Sequence, residues 1–184
     1  MGDVMEFEKY CKILGTYSMV IALLYLTYGV LEVIYGMISW WLPWIELPKI
    51  QLGITLSFPG NGEKPYICVP RIIADPFAGL VLVFVSMVFM KASINLFKTK
   101  IEGWSFITVG LLLSGALFTL NILIVLANGA DVYYPMLWGE VPEEDWNILT
   151  DEWMFNPMMM IFILTIPLIK VYKEKEEFLN KAKI

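Results

Sequence analysis

Apolar residues gather into four long runs, at residues 17–39, 76–97, 104–127 and 153–169, separated by segments of different patterning. Each run is near the ~20 residues that cross a ~30 Å hydrocarbon core at ~1.5 Å per residue. The pattern predicts an all-α polytopic membrane protein. Its expected form is a four-transmembrane-helix bundle filling one domain, residues 1–184, with outer loops at 40–75 and 128–152 and a tail at 170–184.

The first outer loop changes period. Over residues 49–58, Ile50, Leu52, Ile54, Leu56 and Phe58 alternate with Lys49, Gln51, Gly53, Thr55 and Ser57. A period of two is that of a half-buried strand. Pro59, Gly60, Asn61 and Gly62 supply turn chemistry, and Tyr66, Ile67, Cys68 and Val69 read as a returning strand. A β-hairpin in this loop is therefore expected.

The hairpin follows Trp40, Trp41 and Trp44, an aromatic belt or, in a sharper reading, a ligand pocket at the outer surface. In the second outer loop, Pro142, Glu143, Glu144 and Asp145 resemble a helix start. Trp146, Leu149 and Trp153 follow at helical spacing, so a short interfacial helix is expected over residues 142–152.

Charge gives these loops a side. Of 13 Lys and Arg residues, ten fall at Lys9, Lys12, Lys91, Lys98, Lys100 and in the tail from Lys170 onward. Only Lys49, Lys64 and Arg71 fall in the longer loops. The positive-inside rule then places both termini in the cytoplasm of a multi-pass cell-membrane protein. Cys11 and Cys68 lie on opposite sides in this topology and cannot pair.

Composition narrows the chemistry. The chain is 58% hydrophobic and 17% charged, below the roughly 25% charged of soluble domains. It contains no histidine and two cysteines, which argues against His-based triads, haem ligation, most zinc sites and Fe–S clusters. No cofactor or metal is expected, and a net charge of −5 without a basic patch speaks against nucleic acid. The four-span plan with a β-containing first loop is that of claudin-like proteins, but their paired first-loop cysteines are absent.

Polar exceptions within the spans mark candidate sites. Glu32 lies deep in the first run and shares a face with Tyr25, Tyr28, Gly29, Tyr35 and Gly36. A carboxylate at that depth costs ~2.5–3.5 kcal/mol on insertion scales and faces the bundle interior. In the third run, Gly110, Ser114, Leu117 and Asn121 repeat the same spacing, so the Asn121 amide is expected to meet Glu32. Asp75 and Asn156 each precede a proline and read as helix caps, with Arg71 placed to pair with Asp75 at the outer surface.

Three function classes follow. The first is a non-catalytic accessory or structural subunit, contacting other membrane subunits or itself through the hairpin, the aromatic collar and the small-residue helix faces. The second is a small oligomeric transporter or channel using Glu32 and Asn121. The third is a lipid- or quinone-binding protein acting at the outer interface. All three have the lipid bilayer as their first partner.

Overall fold

The computed structural model describes residues 2–45, 54–57, 66–69, 72, 74–139, 141, 146–149, 151, 153–173 and 176. Its elements are helix α1 (Gly2–Trp41), strands β1 (Ile54–Ser57) and β2 (Tyr66–Val69), and helices α2 (Pro76–Phe97) and α3 (Ile101–Tyr133). A 3-10 turn, Tyr134–Trp138, follows α3. Helix α4 (Pro157–Thr165), a 3-10 segment (Ile166–Leu168) and α5 (Ile169–Lys173) close the chain. Three helical stretches, Glu6–Trp41, Pro76–Phe97 and Ile101–Trp138, are long and apolar enough to cross a membrane. The fourth, Pro157–Tyr172, is shorter.

Helices α1 and α2 pack along their length, α2 also packs on α3, and α4 closes against α3 and α1. The α1–α2 contact obeys a seven-residue repeat. Cys11, Ser18, Tyr25 and Glu32 are all fully buried, and so is the second row of Gly15, Ala22, Gly29 and Gly36. Helix α2 answers with Gly79, Ser86 and Ser93 in one buried row and Leu82, Phe89 and Leu96 in another. Residues this small let two backbones approach closely, which is how helices associate where lipid removes the hydrophobic drive.

Hydroxyls staple the same seam. Ser93 Oγ donates to the Gly15 carbonyl at 2.7 Å, and Ser18 Oγ to the Phe89 carbonyl at 3.0 Å. Lower in the bundle, the Tyr25 and Phe89 rings stack with centroids 6.0 Å apart. The tip of the Phe89 ring rests on Gly110 of α3, where a Cβ would lie 2.8 Å from the ring. The small-residue face of α1 is thus occupied by α2. The sequence pattern had aimed it at the third span.

A three-residue turn joins α2 to α3. The amides of Lys98 and Lys100 both donate to the Asn95 carbonyl, and Thr99 takes a left-handed conformation with φ of 52°. At the opposite end, β1 and β2 pair antiparallel with Ile54 opposite Val69 and Ser57 opposite Tyr66. The rest of the alternating stretch, residues 49–53 and 58, the turn residues and Arg71 lie outside the described residues.

Two boundaries differ from the sequence expectation. Span one is the C-terminal part of a 40-residue helix that starts at Gly2. The fourth run becomes helical only at Pro157, because Asn156 Oδ1 accepts from the Met158 amide and caps the helix there. Near its far end, Pro167 winds residues Ile166–Leu168 into 3-10 geometry. Proline has no N–H to offer the Leu164 carbonyl three residues earlier. The Tyr17 hydroxyl of α1 donates to that carbonyl instead, at 2.6 Å.

Candidate functional site

The polar residues of the bundle fall into two neighbouring groups away from the lysine-rich end. The first is centred on Glu32. Gly29 lies against Gly79 and Val83, and Gly36 against Pro76, so Glu32 runs beside the first turn of α2. Gly103 lies against Leu96 and Gly110 against Phe89. Continuing that antiparallel register at ~1.5 Å per residue puts Asn121 level with Ala78, within about one turn of Glu32. Glu32 is 0% and Asn121 1% exposed.

Their partnership takes another form. Asn121 Nδ2 donates at 2.7 Å to the Trp153 carbonyl, which also accepts from the Asn156 amide at 3.4 Å in the turn before α4. The amide therefore ties α3 to the approach of α4. Asn156 is 0% exposed and stands three residues further on. Asn121 Oδ1, Asn156 Nδ2 and Ser86 Oγ are buried without a hydrogen-bond partner among the described residues. Ser114 sits two turns away along α3; its hydroxyl donates to the Gly110 carbonyl at 2.8 Å, and the Tyr25 side chain reaches it across the bundle. Tyr28 and Tyr35 are half-buried on the flank of α1.

The second group is one the sequence reading missed. Asp151, 9% exposed, accepts from the Trp146 indole at 2.9 Å, the Trp153 amide at 2.9 Å and Asn128 Nδ2 at 3.1 Å. Trp146 in turn lies flat on Gly129, where a Cβ would sit 2.8 Å from its ring. The interfacial helix expected over 142–152 falls largely outside the described residues. Trp146 and Asn147 are irregular, Ile148, Leu149 and residues 153–155 form turns, and residues 142–145, 150 and 152 lie outside the description. The only clue to the Asp151 group in the sequence was an Asp between two tryptophans.

At the loop end, Asp75 Oδ1 accepts from the Phe77 and Ala78 amides at 2.8 and 3.2 Å, capping α2. Its expected partner Arg71 lies outside the described residues. Trp40 meets Phe77 edge to face at 5.6 Å, while Trp41 and Trp44 stay exposed at 68% and 74%. Tyr133 is the last residue of α3, and Tyr134 meets Trp138 edge to face at 6.5 Å just beyond it. Among the described residues, no three His, Cys, Asp or Glu side chains gather as metal ligands would.

No curated protein and no solved structure matches the chain. A family model does match, that of the MJ0565 integral membrane domain, over residues 63–175. The match runs from the returning strand through α2, α3 and α4 to the end of α5, more than half of the chain. With apolar helices of membrane-spanning length beneath it, this is a membrane protein, and it belongs to the MJ0565 integral membrane domain family.

Proposed function

We propose that the chain is a non-catalytic accessory or structural subunit of a larger membrane assembly, with both termini cytoplasmic and its loop end outside. Partners are met through the strand pair and the aromatic collar. One observation carries this reading. Beyond the end of α3, Leu137 is 77%, Trp138 72% and Val141 85% exposed. Apolar side chains past the hydrocarbon edge gain nothing from lipid tails and favour a protein surface. The small-residue faces of α1 and α2 are used within the chain, so the docking role narrows to the loop end.

Purification in a mild detergent, followed by identification of co-purifying chains, tests this. A stoichiometric membrane partner, released by Leu137→Ser with Trp138→Ser, is expected. A monodisperse homo-oligomer without a partner refutes it.

A second reading, a small transporter or channel for protons, cations or a small solute, is favoured by the buried group around Glu32. In it, Asn121, Asn156 and Ser86 supply the remaining polar contacts. Flux into proteoliposomes that is abolished by Glu32→Gln while the fold stays intact would select it over the first.

A further inference from the structure

We infer that the lysine-rich end of α1 carries a binding site for an anionic glycerophospholipid. A groove of about 440 Å³ runs along this helix, lined by Lys9, Lys12, Ile13, Thr16, Tyr17 and Val20. The order of these residues is the argument. The two ammonium groups stand toward the helix N-terminus, and the apolar floor continues from Ile13 to Val20, ~10 Å at ~1.5 Å per residue. Ile13 and Val20 are 59% and 49% exposed, so no other described part of the chain covers them.

The groove is placed at a membrane edge. On the same end of the bundle, Trp104 stacks on Tyr172 with centroids 6.3 Å apart, a pairing of interfacial residues, and the Lys98–Lys100 turn lies close by. A phosphate held at Lys9 and Lys12 leaves its acyl chain to lie over Ile13, Tyr17 and Val20, toward the bilayer centre. Charge selects the headgroup. A zwitterionic lipid would bring its own cation against two lysines, whereas an anionic one adds only negative charge.

Glu8 sets the empty state. Its carboxylate bridges Lys12 at 2.6 Å, and lipid phosphate must compete with it for that ammonium. Removing either side of this pair therefore has opposite effects on binding, a signature that loss of folding cannot imitate.

The test is native mass spectrometry of the full chain in neutral detergent, titrated with phosphatidylglycerol and with phosphatidylcholine of the same acyl chains. Phosphatidylglycerol should bind at least about tenfold more tightly. Lys9→Gln with Lys12→Gln should weaken it about thirtyfold and abolish the preference, at about five- to sixfold per lysine. Glu8→Gln should tighten it, and Val20→Trp, which fills the groove, should weaken both lipids. Equal binding of the two lipids by the unmodified chain, or a preference that survives in the double variant, overturns the inference. Displacement of phosphatidylglycerol by inorganic phosphate alone would also overturn it, as the mark of a simple phosphate site.

Discussion

Gly29 of α1 and Gly79 of α2 face each other backbone to backbone. A Cβ on Gly29 would stand 2.8 Å from the Gly79 carbonyl oxygen, and one on Gly79 would stand 2.6 Å from that of Gly29. Neither obstacle is a movable side chain, so even alanine must part the helices. Gly29→Ala and Gly79→Ala should each destabilise the fold by about 1–3 kcal/mol, the cost of overpacking. Reversible unfolding in mixed micelles measures this. Wild-type stability in either variant would show that the seam is looser than described.

Tyr17 and Pro167 should be coupled. Tyr17→Phe leaves the Leu164 carbonyl without its donor and should cost about 0.5–1.5 kcal/mol. Pro167→Ala restores a backbone N–H to the same region, so Tyr17→Phe should cost much less in that background. A double-mutant cycle reads the difference directly. Additive effects would mean that Tyr17 does not compensate for the proline.

Thr99 is a β-branched residue in left-handed geometry, with φ of 52°. Glycine adopts this conformation without the steric penalty, so Thr99→Gly should stabilise the turn by about 1 kcal/mol. A rise in the thermal midpoint of the detergent-solubilised protein is the expected result. A fall would indicate that the Thr99 hydroxyl bond to the Lys98 carbonyl outweighs the backbone strain.

Asp151 holds together a loop that has little regular structure. Asp151→Ala removes the acceptor for Trp146, Trp153 and Asn128 and should destabilise the loop end by about 2–3 kcal/mol. Limited proteolysis should then cut between residues 139 and 156 before any helix is attacked. Asp151→Asn keeps an acceptor and should retain part of the protection.

Much of the helical architecture was legible because lipid leaves backbone groups few ways to be satisfied. Long apolar runs therefore become helices, as Pro76–Phe97 and Ile101–Tyr133 do. Which group the Asn121 amide meets was not legible. A helix face can be read from spacing, but which neighbour covers it depends on how the helices are arranged around one another. Gly29 and Gly36 could have been assigned to α2, since the seven-residue rows from Cys11 to Glu32 and from Gly15 to Gly36 have their counterpart in Gly79, Ser86 and Ser93. The Asp151 knot was beyond reach. It depends on three donors from separated positions converging on one carboxylate, and no local pattern encodes that.

The seven-residue rows also fix a handedness. A repeat of 3.5 residues per turn is shorter than the 3.6 of a straight helix, so α1 and α2 must wind about each other in a left-handed sense. Helix α3 follows this winding only as far as Asn121. Its next buried residues, Val125 and Gly129, come at steps of four, which unwinds the coil. Trp146 rests against Gly129 at the last of these steps, and Asn121, where the period changes, holds the incoming chain. A change of helical period, with no break in the helix, marks where the second loop meets α3.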